Sequence, residues 1–172
     1  MSIRLAFMSF ALLLAFSMGC ATGRHSVDPV VTVTKFHEKA KVATGQMPKD
    51  VTNMVASLDG VAITEMGMKD FKEIDSAFGD GSLLDYDIIG SRTQYKCALV
   101  LVLYQLTAKE PGGRTFDSEA VRLVRQQGEW KYVPFDVPYG AFEGDQQSAF
   151  RLLYEWSHKA WSDYYTAKGI IP

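Results

Sequence analysis

Gln94-Tyr95-Lys96-Cys97-Ala98-Leu99-Val100-Leu101-Val102-Leu103-Tyr104-Gln105-Leu106-Thr107-Ala108 is rich in β-branched and aliphatic residues, and from Cys97 to Leu103 it has no wet face. A half-exposed strand alternates apolar and polar side chains, whereas one covered on both sides does not, so residues 94–108 are predicted as a central strand lying under helices. Upstream, Leu83 to Ile89 reads as a first strand with period two, and Gly90-Ser91 as a turn or bulge. Downstream, Pro111-Gly112-Gly113 makes a hairpin loop, Phe116 to Arg125 a third strand, Gln126-Gln127-Gly128 a tight turn and Glu129 to Phe135 a fourth strand. Trp130 and Tyr132 share one face of that strand, and Pro134 marks its edge or end.

On either side of this block the periodicity is helical. Asp28-Pro29 reads as a helix start, with the carboxylate accepting from free N–H groups and proline in the first position. Val30, Val33, Phe36 and His37, Ala40 and Ala43 recur at three to four residues, predicting a helix over 29–44 that Gly45 stops. Pro48 is expected to open a second helix with a Val51, Met54, Val55, Leu58 stripe ending at Asp59-Gly60, and Met68 to Phe78 to form a third that Gly79-Asp80-Gly81 breaks. After a Pro/Gly/Tyr loop, Asp145 is read as the cap of a long last helix to about Lys168, whose stripe runs through Phe150, Leu153, Tyr154, Ser157, Trp161, Tyr164 and Tyr165.

The predicted fold is therefore α+β: N-terminal helices packed on a curved antiparallel four-stranded meander, plus a long C-terminal helix. Helices followed by a meander whose last hairpin carries Gly128-Glu129-Trp130-Lys131 resembles the nuclear transport factor 2-like, or cystatin-like, cone over residues 28–136. That resemblance implies a curled sheet and helices enclosing a cavity, which in different members holds a catalytic pocket, a ligand or a partner segment. The fold alone selects no activity. The long last helix departs from the simplest members; it is expected to close the open end of the cone or to pack on an outer face.

The 172 residues, 47% hydrophobic with a net charge of −2, suit one globular domain with its own core. A pI near 5.9 and the lack of any Lys/Arg cluster longer than two argue against nucleic acid as a partner. The most specific signal is at the start. Met1-Ser2-Ile3-Arg4 is positive, and Leu5 to Phe16 is apolar except for Ser9, a run suited to an export signal and shorter than the roughly 20 residues that span a bilayer. Ser17-Met18-Gly19-Cys20 resembles the bacterial lipobox through Gly19 and Cys20, while Ser17 and Met18 depart from it; small residues at Ser17 and Gly19 also suit ordinary signal peptidase.

Three segments are thus expected: a signal peptide over 1–19, a lipidated Cys20 with a tether to residue 27, and a single domain over 28–172, with the membrane reached through acyl chains on Cys20. Ala21 lacks the aspartate of inner-membrane retention, which points to the outer membrane of a bacterial envelope, facing the periplasm. With Cys20 lipidated, the only other cysteine, Cys97, must be a free thiol, expected to be core-protected among Ala98 to Leu103.

Catalytic spacings are missing from the sequence: no nucleophile-elbow pentapeptide, no phosphate loop, and no histidine pair at metal spacing among His25, His37 and His158. No cofactor or metal is expected. His37-Glu38 turn about 100° apart on a helix and are read as surface. Asp85 and Asp87 aim at one face of the first strand; lining a cavity, they would form an acid/base pair with Tyr86 or Tyr104, whereas on the solvent side they would simply alternate with Leu84, Tyr86 and Ile88. Aromatics with polar tips crowd the last helix, so Tyr154, Trp156 and Trp161, with Trp130, are the candidate binding residues. The expectation is a non-enzymatic envelope lipoprotein that binds an envelope protein partner or a small apolar ligand, the alternative being a periplasmic cone-fold enzyme using Asp85/Asp87.

Overall fold

A computed structural model describes residues 28–42, 49–58, 63–107 and 114–169. Four strands, β1 (Leu83–Gln94), β2 (Cys97–Thr107), β3 (Arg114–Gln126) and β4 (Glu129–Val133), pair antiparallel in chain order as a meander. Helices α1 (Pro29–Lys41), α2 (Lys49–Thr52) and α3 (Ile63–Gly79) precede the sheet and α4 (Gly144–Ala167) follows it. The α+β class, the meander order and the long C-terminal helix are as predicted.

Every residue from Cys97 to Leu103 is buried, and the two faces of β2 belong to different layers. On one face Tyr104 meets His37 of α1; on the other the Cys97 thiol points to the Gln146 carbonyl of α4 at 3.9 Å, and Trp156 of α4 sits above Gly90 of β1. The last helix thus covers the outer face of the sheet, opposite α1 and α3. Phe36 anchors the inner layer, stacked on Tyr132 at 4.2 Å between ring centroids and edge-on to Phe71 at 5.6 Å.

Helix α1 starts as expected, with Asp28 Oδ1 accepting from Val30 N–H at 2.9 Å and Pro29 in the first turn. Other boundaries differ for identifiable reasons. The second predicted helix is a single turn, because its downstream half serves β4 instead: Ala56 N–H donates to the Tyr132 carbonyl at 2.8 Å and Tyr132 N–H to the Met54 carbonyl at 2.7 Å. Val51 and Val55 are buried as expected, but by a chain that seals a sheet edge. Helix α3 begins at Ile63, ahead of the expected Met68, and its Gly67 lies against Val55.

Residues 94–108 are not one strand: Gln94 ends β1, and Tyr95-Lys96 form the two-residue link to β2 with Tyr95 at φ 54°, a conformation that a bulky aromatic does not advertise. Gln127 and Gly128 both take positive φ, 53° and 86°, as the twist of the second tight hairpin demands. Gly90 sits at a register shift in β1, as the bulge reading expected. The cap of α4 is Glu143 rather than Asp145, its N–H donating to Gln146 Oε1 at 3.2 Å; Asp145 lies in the first turn, where its charge suits the helix dipole. The leader, Cys20, the tether, the end of the first predicted helix beyond Val42, Asp59-Gly60 and the Pro111-Gly112-Gly113 loop lie outside the described residues.

A Cβ on Gly67 would stand 2.8 and 2.9 Å from the two methyl groups of Val55. In an open helix Gly→Ala gains up to about 1 kcal/mol, but here overpacking costs about 1–3 kcal/mol. Gly67→Ala is therefore expected to lower the unfolding midpoint in urea. Combining it with Val55→Ala should cost less than the sum of the two single changes; additive losses would show that the contact is not tight.

Candidate functional site

A chain of polar groups runs through the inner layer. Tyr104 Oη lies 2.8 Å from His37 Nε2 and 2.8 Å from Glu119 Oε2, while His37 Nδ1 lies 2.9 Å from the Val33 carbonyl. Local structure puts each group there. His37 is one helical turn beyond Val33 on the apolar side of α1, and Tyr104 follows the buried run of β2 on the same face as Val102, the partner of Glu119 in register. Tyr86, paired across the strands with Tyr104, places its ring 4.8 Å from that of His37 and donates to Glu38 Oε1 at 3.0 Å.

Because a carbonyl only accepts, His37 Nδ1 carries the hydrogen. A neutral His37 then accepts at Nε2 from the single Tyr104 hydroxyl hydrogen, and Glu119 must be a carboxylic acid donating to Tyr104 Oη. If instead Tyr104 donates to a Glu119 carboxylate, His37 must be the imidazolium. Both arrangements hold the same number of protons. Burial favours the uncharged one: desolvation pushes His37 below its ordinary pKa and Glu119 above its own, the Tyr104 hydroxyl opposing the latter. Burial raises the Tyr104 phenol as well, so it stays a hydroxyl.

Glu119 and Tyr104 open on a cleft of about 420 Å³ between α3 and the sheet. Asp70 of α3 lines it too, 8% exposed, its Oδ2 accepting from Tyr132 Oη at 3.1 Å and from Phe135 N–H at 3.0 Å. Burial raises the Asp70 carboxyl above the ordinary range, against the two hydrogen bonds. Ile74, Leu83 and Leu106 supply apolar wall, and Lys69 at the cleft is engaged by Asp136 at 2.8 Å and Glu73 at 3.7 Å.

Of the residues named for acid–base chemistry, the two tyrosines converge around His37 and the two aspartates do not. Asp85 and Asp87 are exposed and line no part of the cleft; Asp85 faces Lys41 at 4.0 Å. The desolvation that would couple them is missing, and Leu84 beside them is also exposed, because a register shift between Leu83 and Asp85 interrupts the alternation. Among the aromatic candidates, Trp130 is a core residue at 6% exposure with the Arg125 guanidinium 6.0 Å from its ring. Tyr154 and Trp156 are half-buried, Trp156 beside Arg92, Gln94 and Leu152, and Trp161 stacks on Tyr165 at 5.7 Å. None of these four lines the cleft.

His37, read as surface, is fully buried. Its place in the Val33, Phe36, Ala40 stripe was the available signal, and the adjacent Glu38 obscured it. Glu119, Asp70 and Tyr132 gave no sign in the sequence, since each is a single polar residue whose partners lie 15 to 65 positions away. Cys97 is free and buried as expected, its thiol pushed up to about 12 by burial. No group of three or more metal-ligating side chains occurs among the described residues. No protein-family model, curated protein or solved structure matches this chain.

The shifts have opposite consequences for stability. A His37 whose folded pKa lies below the ordinary 6.5 makes the unfolded chain bind more protons, so stability falls as pH drops below about 6.5. A Glu119 raised above 4.5 binds more protons when folded, so its contribution is lost as pH climbs from about 4.5 through the folded value. In urea unfolding followed by circular dichroism, His37→Gln is expected to flatten the loss between pH 6.5 and 5; an unchanged acid limb would place the titrating group elsewhere. Tyr104→Phe, which strands the buried His37 and the half-buried Glu119, should cost about 1–3 kcal/mol at pH 7.

Proposed function

We propose that this chain is a lipid-anchored binding module of a bacterial cell envelope, facing the periplasm from the outer membrane and offering the cleft between α3 and the sheet to a small ligand. The observation that carries the reading is the cleft itself. Its volume of about 420 Å³ falls in the range of small-molecule sites, and it combines apolar walls with a few converging polar groups at Asp70, Tyr104 and Glu119. The anchor rests on the apolar run Leu5 to Phe16 followed by Gly19-Cys20. No helix among the described residues is long and apolar enough to cross a membrane; the reading assigns attachment to acyl chains on Cys20.

Binding and not turnover is favoured because Asp70, Tyr104 and Glu119 are held in place by hydrogen bonds within the protein: Tyr104 between Glu119 and His37, and one oxygen of Asp70 by Tyr132 and Phe135 N–H. Such a network specifies a shape and a hydrogen-bond pattern, and no activated nucleophile stands in it.

When the full-length chain is expressed in a Gram-negative host, mass spectrometry of the mature N-terminal peptide should show Cys20 as the first residue with acyl mass attached, and Cys20→Ala should release the protein from the membrane fraction. An unmodified Cys20 removes the anchor. Native mass spectrometry of the purified lipoprotein is expected to show a small-molecule adduct that Ala77→Trp, which places an indole in the cleft, abolishes; an adduct retained in full by that variant removes the cleft as the binding site.

A further inference from the structure

We infer that the cleft takes a primary ammonium carried on a short apolar chain, a small free alkylamine in its protonated form, seated against Asp70 and Glu119. The inference rests on the binding-module reading and names the ligand class of the same site.

Charge is the first argument. Carboxyl groups at this cleft outnumber cations, and its lysine, Lys69, is already held by Asp136 and Glu73. Arg122, next to the strand positions that line the cleft, is spent on the opposite face of the sheet, where it donates to the Val137 carbonyl at 2.9 Å and to those of Pro134 and Phe135 at 2.6 Å. Among the described residues neither Asp70 nor Glu119 has a salt-bridge partner; Arg122 lowers the Glu119 carboxyl only through space.

Free acceptor atoms are the second, independent argument. Both hydrogen bonds to the Asp70 carboxyl fall on Oδ2, and that to Glu119 falls on Oε2. Asp70 Oδ1 and Glu119 Oε1 have no partner among the described residues, yet neither is sealed: the sealed side-chain nitrogen or oxygen lacking a partner is Trp130 Nε1. Both oxygens therefore keep solvent exposure, and both belong to residues that line the cleft, Asp70 being 8% exposed. An anion would be repelled by them, and a purely apolar guest would cover them without replacing their water. No group of three or more His, Cys, Asp or Glu side chains placed to hold a metal ion occurs among the described residues. An ammonium donates to both, and a short alkyl chain lies along Ile74, Leu83 and Leu106.

Protons balance simply. Burial raises the Glu119 carboxyl; when an ammonium arrives at the protonated acid, the proton passes through Tyr104 to His37 Nε2, which is the second of the two arrangements above. No bond to carbon forms or breaks.

Isothermal calorimetry on the detergent-solubilised lipoprotein at pH 7 and low salt tests this with n-butylammonium, n-butanol and butyrate. Saturable binding of n-butylammonium at least tenfold tighter than of n-butanol is expected, with a further tenfold loss in Glu119→Gln and in Asp70→Asn, each checked for folding by circular dichroism. Equal binding of the amine and the alcohol, or tighter binding of butyrate, overturns the ligand class while leaving the cleft as a binding site. Failure of all three probes to bind overturns the ligand class and the binding-module reading together. Unchanged amine affinity in both folded variants places the ammonium elsewhere and sinks the inference. Should either variant unfold, the comparison of amine with alcohol on the unmodified protein decides.

Discussion

Seven consecutive residues of β2, Cys97 to Leu103, are buried, and a strand without a wet face requires a layer on each side. That requirement arranges the rest of the molecule. Helices α1 and α3 must take one face and α4 the other, and the neighbouring strands can afford exposure because β2 carries the centre. It also decides where β2 can contribute polar chemistry: where the apolar run gives way, at Tyr104, a hydroxyl enters the inner layer without interrupting the core.

The polar network begins at that point. Tyr104 satisfies His37 and Glu119 together, so neither buried titratable group is orphaned, and Tyr132 does the same for Asp70 while stacking on Phe36. Each tyrosine thus belongs to the hydrophobic core through its ring and to the cleft through its hydroxyl. The cleft is the exposed end of the core, which is why its walls are apolar and its polar groups are few and fixed. The opposite face solves a similar problem differently: Arg122 is buried with no carboxylate and is satisfied by three carbonyls of the 134–137 turn, fastening the loop that leads into α4.

Sheet edges receive unequal treatment. The Met54–Ala56 segment and the Lys131 to Asn53 and Gln126 to Ser57 hydrogen bonds cover β4. At the other end β1 is bulged twice and carries Asp85, Asp87 and Arg92, features that discourage pairing with another chain.

Local pattern alone was enough for element type, strand order, the bulge at Gly90, the Gln127-Gly128 turn, the α1 cap and the buried Cys97, because each depends on a few adjacent residues whose periodicity or backbone preference is visible in the chain. The two-residue turn at Tyr95-Lys96 was hidden because no glycine or asparagine marks it, and the second helix was overcalled because an apolar stripe looks the same whether it covers a core as a helix or seals an edge as extended chain. The site lay further from view. His37, Asp70, Tyr104, Glu119 and Tyr132 come from five different elements, and what joins them, His37 behind the cleft and the other four at it, is proximity across the fold, which no spacing along the chain encodes. Only packing shows that a histidine beside a glutamate is fully buried, or that two aspartates with ideal alternation face water.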